Sequence, residues 1–72
     1  MNYKVSTISL VKGDVIKTYY EGNNRIEANE ALQHLQRAGA GRIEFVDKAQ
    51  NCVYEYTYKD KWSYRIKKTY GS

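Results

Sequence analysis

From Cys52 to Tyr70 the chain alternates with a period of two, and this is the feature that most limits its fold. Tyr54, Tyr56 and Tyr58 fall on every second residue, Lys59-Asp60-Lys61 interrupts, and Trp62, Tyr64 and Ile66 resume the beat. Side chains two apart share a face in a strand, whereas a helix needs spacings of three and four. The segment therefore reads as a hairpin, Cys52 to Tyr58 and Trp62 to Tyr70. Its register decides what the rings do, because a slip of one residue turns every side chain to the opposite face.

Two registers compete. A two-residue turn at Asp60-Lys61 opposes Tyr56 to Arg65 and Tyr54 to Lys67, mixing tyrosines with cations on one face. A three-residue loop opposes Tyr58 to Trp62, Tyr56 to Tyr64 and Tyr54 to Ile66, with Thr57 opposite Ser63 and Glu55 opposite Arg65 on the other face. The second gives aromatic pairs and an opposite-charge pair, each contributing a few tenths to about 1 kcal/mol. Asp60-Lys61 also lacks the glycine that two-residue turns favour. In this register Cys52, Tyr54 and Tyr56 join Ile43 and Phe45 on one apolar face. Most of the tyrosine ladder is then expected in the core, with Tyr58, Trp62 and Tyr64 partly exposed toward the sheet edge.

The remaining chain supplies the other elements. Tyr3 to Val11 is rich in β-branched residues and reads as a strand. Its apolar phase changes between Tyr3/Val5 and Ile8/Leu10, which predicts a bulge or twist near Ser6 or Thr7. Lys12-Gly13-Asp14 is a turn and Val15 to Tyr20 a second strand. After Glu21-Gly22-Asn23-Asn24, the residues Ala28, Ala31, Leu32, Leu35 and Ala38 form one helical stripe. Asn24 with Glu27 three residues on suits a capping box, Asn29 being a second candidate cap, and Gly39 suits the exit. Arg42 to Asp47 is a strand, and Lys48 to Asn51 a four-residue loop. The expected fold is two-layer α+β, order ββαβββ, an antiparallel sheet of about five strands with one helix on one face.

At 72 residues the chain has room for one small domain, with a thin core. One cysteine, Cys52, and one histidine, His34, allow no intrachain disulfide and no structural zinc site, so no metal is expected. Cys52 is expected to pack on the core face, and His34, four residues after Glu30, to sit on the helix flank. No glycine-rich phosphate loop or general acid–base pair stands out, so neither catalysis nor a cofactor is expected. Without an apolar run for a leader or a membrane span, a cytoplasmic chain with no membrane partner is expected.

The charge is placed unevenly. Met1 to Tyr58 carries seven basic and seven acidic residues, whereas Lys59 to Lys68 carries Lys59, Lys61, Arg65, Lys67 and Lys68 against Asp60 alone. The net +4 thus sits in one decapeptide. Such a field favours a partner with an acidic surface, protein or nucleic acid, although lysines also serve to keep an edge strand unpaired. The expected contact residues are Lys59, Lys61, Trp62, Tyr64, Arg65, Lys67 and Lys68.

Three functional readings follow, none enzymatic. The first is an inhibitor or adaptor docking on a macromolecule through the basic, aromatic hairpin. Here the strand–strand–helix–three-strand order resembles that of some anti-CRISPR proteins, which implies a phage or mobile-element type of inhibitor. The second is a nucleic-acid-binding domain using Lys and Arg on phosphates and an exposed ring on a base. The third is a homodimer through an edge strand, Tyr3 to Lys12 or the last strand.

Overall fold

The computed structural model describes residues 2–12 and 14–69, without the side chain of Lys68. Gly13 of the expected turn, Tyr70 at the end of the last strand and the Lys68 side chain lie outside that description. The elements are β1 (Tyr3–Ile8), β2 (Val15–Gly22), α1 (Arg25–Arg37), β3 (Arg42–Asp47), β4 (Cys52–Lys59) and β5 (Lys61–Thr69). The strands form one antiparallel sheet in the order β2-β1-β3-β4-β5, and α1 packs on β1, β2 and β3. This is the expected α+β fold, order ββαβββ, with β2 and β5 at the edges.

The last hairpin takes the three-residue-loop register. Tyr58 opposes Trp62, Tyr56 opposes Tyr64, Tyr54 opposes Ile66 and Glu55 opposes Arg65. Asp60 has a φ of 75°, a left-handed conformation that a short polar side chain tolerates. One slip between Val53 and Tyr54 leaves Lys67 as an extra residue in β5.

The first hairpin departs from expectation in two ways. β1 ends at Ile8 rather than Val11, because the Ser9 hydroxyl accepts from the Val11 and Lys12 N–H groups at 3.2 and 3.1 Å and bends the chain into a turn. The register slips fall near Ser6 and Thr7 as expected, but their extra residues, Ile16 and Tyr19, are in β2. β1 itself runs without a slip against β3 from Tyr3↔Asp47 to Thr7↔Ile43. The apolar phase change is met differently: alternation sends Ile8 to the face away from the helix, where it is buried.

Asn24 caps α1, its side chain accepting from the Ile26 and Glu27 N–H groups at 2.9 and 3.2 Å. The reciprocal half of a capping box is supplied from β2. The Asn24 N–H donates to the Tyr20 hydroxyl at 3.1 Å, and that oxygen lies 3.2 Å from Glu27 Oε1. Gly22 lets the ring come this close, since a Cβ there would meet the Tyr20 hydroxyl at 2.6 Å. At the other end Gly39, φ 87°, closes a Schellman turn in which Ala40 N–H donates to Leu35 O at 3.1 Å.

Ala28, Leu32 and Leu35 of α1 bury Tyr3, Val5, Ile43 and Phe45. Thirteen residues make a rod about 20 Å long and about 10 Å wide, which spans two or three strands at their spacing of about 4.8 Å. β4 lies at the margin of that cover and β5 beyond it.

Candidate functional site

The helix-side face of the sheet carries a chain of rings that starts in the core at β1 and β3 and ends in solvent at β5. Tyr3 meets Phe45 and Phe45 meets Tyr54, both at 6.3 Å between centroids; Tyr64 lies 5.9 Å from Tyr54 and 5.5 Å from Tyr56. Tyr58 and Trp62 form a separate tilted pair at 5.5 Å nearer the loop. These are spacings at which ring quadrupoles attract. The ladder is less buried than expected: Tyr54, Tyr56 and Trp62 are half-buried, and Tyr58, Tyr64 and Ile66 are 54, 63 and 55% exposed. The helix is too narrow to cover them, although Tyr54, Tyr56 and Trp62 pack against the core at its margin. Burial pushes the Tyr54 and Tyr56 hydroxyls above their ordinary range, so both remain neutral donors at neutral pH.

Two hollows flank the rings. One of about 300 Å³ lies where the helix exit faces the hairpin, walled by Tyr58 and Trp62 against Gln36, Gly39 and Ala40. Another of about 250 Å³ brings Arg25 and Asn29 of α1 to Tyr54, Tyr56 and Tyr64. Cys52 is half-buried rather than a packed core residue, since the helix does not reach it, and its thiol lies 3.4 Å from Gln50 O.

The opposite face holds the ions. Register places Thr18, Ser6, Glu44, Glu55 and Arg65 in one row across all five strands. Glu44 and Glu55 face each other, and cations neutralise them. Arg42 Nε–H donates to Glu55 Oε2 at 2.7 Å, and Arg42 also donates to Ser9 O at 3.1 Å, tying the first hairpin to β4. Arg65 is 3.6 Å from the other Glu55 oxygen, and Lys67 is 3.1 Å from Glu44. The hydrogen bond from Arg42 leads, against the burial that opposes it, in holding the Glu55 carboxyl below its usual range, with Arg42, Arg65 and Lys67 adding attraction. Glu55 is only 3% exposed while Arg65 is 71% exposed, so Arg42 is its structural partner.

The expected contact residues thus divide. Trp62 and Tyr64 lie together on the helix side; Arg65 and Lys67 lie on the other side, already engaged with carboxylates. Lys59 and Lys61 oppose each other at the hairpin tip, both exposed, and neither forms an ion pair among the described residues. Lys68 stands opposite Val53 in register. The expectation omitted Arg25, which the fold carries from the helix to the rings, and the exposed apolar tip formed by Leu10, Val11, Val15 and Ile16. The Ser9 turn was the available signal for that tip, since a hydroxyl binding nearby amides ends a strand.

Among the described residues no three His, Cys, Asp or Glu side chains gather as metal ligands do, and no helix is long and apolar enough to cross a membrane. Fold and site together define a small α+β domain with a half-covered sheet and an open aromatic face. The chain matches no family model, no curated protein and no solved structure. The resemblance to some anti-CRISPR proteins is accordingly one of element order alone.

Proposed function

We propose that the chain is a small binding protein, an inhibitor or adaptor, that docks on a protein partner through the helix-side face of β4 and β5. The observation carrying this reading is that Tyr58, Tyr64 and Ile66 are each more than half exposed, beside half-buried Trp62 and the Arg25 guanidinium. Tyrosine, tryptophan and arginine are the residues that dominate binding energy at protein interfaces, because they offer large rigid surfaces with a polar tip. The net +4 and the cations at the margin, Arg25, Lys59 and Lys61, complement a partner with an acidic rim. A nucleic-acid partner is the weaker reading: Arg65 and Lys67 are turned away from the rings and bound to Glu55 and Glu44, so cations and stacking surfaces do not share one track.

The test is affinity capture from native lysate with wild type and with a Tyr58→Ala/Tyr64→Ala variant, circular dichroism verifying that both are folded. One stoichiometric protein, kept after nuclease treatment and lost with the variant, is expected. Equal capture by the variant, or release by nuclease, overturns the reading.

A further inference from the structure

The sheet has two free edges, and they are built differently. β2 carries two extra residues, Ile16 and Tyr19, which break its register against β1 and twist its outer edge, a device that discourages further pairing. Asp14, just before its start, accepts from the Ser9 N–H at 2.8 Å, and Tyr20 is held at the helix cap. β5 keeps an unbroken register from Lys61 to Ile66 and meets its single irregularity only at Lys67. It contains neither proline nor glycine from Lys61 to Thr69. Every residue there whose exposure is described is exposed, except half-buried Trp62. Half of its backbone N–H and C=O groups point away from β4, where no strand of the described residues lies.

The side chains of β5 sort the strands that could use that edge. On the helix side Trp62, Tyr64 and Ile66 offer apolar contact; on the other side Arg65 and Lys67 project cations. A second copy of β5 laid alongside would bring Lys61, Arg65 and Lys67 against their own kind, and like charges facing one another across strands are unfavourable. An uncharged strand gains nothing from the cations. A strand alternating acidic and apolar residues satisfies both sides at once, with carboxylates near Arg65 and Lys67 and apolar side chains continuing the ring surface.

We infer that β5 accepts an extended acidic segment of a protein partner as a sixth strand. This rests on the docking face proposed above and names how the partner engages it: backbone pairing at the edge, with alternate side chains laid over the rings. The lysines and arginines of β5 are then a filter, closing the edge to its twin and opening it to acidic chains.

The test uses the full chain, labelled with nitrogen-15, and a synthetic nine-residue peptide alternating glutamate and valine with blocked ends. At a free peptide concentration about ten times its dissociation constant, exchange of the outward β5 amides should slow about tenfold, with β2 amides unchanged. The same peptide with lysine for glutamate should give no protection. Of two N-methylated peptides, one methylated on every valine and one on every glutamate, the one whose methyl groups face β5 should also give none. No slowing in β5, slowing in β2 instead, or equal protection by the lysine peptide overturns the inference. Should β5 stay unprotected while Tyr58→Ala/Tyr64→Ala still abolishes partner capture, strand addition fails and docking through the rings stands.

Discussion

β1 and β3 bury side chains on both faces of the sheet, β4 on one face, and β5 on neither among its described residues. In β1, Tyr3 and Val5 lie under the helix and Ser6 and Ile8 on the other side; in β4, Val53 and Glu55 are buried away from the helix while Tyr54 and Tyr56 are only half-covered beneath it. Burial therefore falls off from β1 and β3 toward both edges, since β2 also buries none of its side chains although the helix packs against it. The buried centre of the sheet, β1 and β3, and the open side at β4 and β5 are adjacent, joined by a run of rings from Tyr3 to Tyr64.

The sharpest way to break this comparison is to truncate one isoleucine in each half. Ile43→Ala, in the fully covered half, should lower stability by about 4 kcal/mol in urea unfolding, combining lost transfer energy with a cavity under the helix. For a chain of this size that is a large share of the whole. Ile66→Ala is its counterpart and belongs at the other end of the scale.

Next comes the ionic side. Arg42→Ala leaves Glu55 buried without its hydrogen-bonded partner, with only the weaker attraction of Arg65 and Lys67, and should cost about 3 kcal/mol. Its pH dependence has a definite sign. Glu55 has a folded pKa below its unfolded one, so its contribution is whole above the ordinary carboxylate range of about 4 to 5 and is lost as pH falls through and below it. Wild-type stability measured from pH 7 to pH 3 should fall in that window. Arg42→Ala, lacking the hydrogen bond that lowers the pKa, should show a shallower fall; an unchanged slope assigns the acid sensitivity to another carboxylate.

A smaller effect tests the seam between β2 and the helix. Tyr20→Phe removes the hydroxyl that receives the Asn24 N–H and should cost about 1 kcal/mol by thermal unfolding. Gly22→Ala, which forces a Cβ onto that hydroxyl, should cost at least as much if the cap depends on the close approach.

The smallest effects belong to the open half. Ile66→Ala and Arg65→Ala should each change stability by no more than about 0.5 kcal/mol, since both side chains are mostly in water. A loss at Ile66 comparable with that at Ile43 would falsify the division of the sheet into covered and open halves.

Much of the architecture was readable in the residues. Alternation from Tyr54 to Ile66 placed the hairpin, and cross-strand pairing energies chose its register, because a period of two and the match of Glu55 with Arg65 are local properties. The helix from Asn24 to Gly39 was equally plain, since its apolar stripe, cap and glycine exit are all close in sequence. The site was readable only in part. Tyr58, Trp62 and Tyr64 were expected to be partly exposed and are, yet their grouping with Arg65 and Lys67 joined residues that strand alternation sends to opposite faces.

What the chain determined by itself was therefore the set of elements, the pairing of β4 with β5 and the location of the excess charge, each carried by neighbours along the backbone. The tertiary structure alone decided the strand order, which puts β1 and β3 under the helix and leaves β4 and β5 at its margin. It alone gave Glu55 to Arg42 and Arg25 to the rings, because those contacts join residues from separate elements. A narrow helix laid off-centre on a five-stranded sheet decides which tyrosines are core and which face solvent.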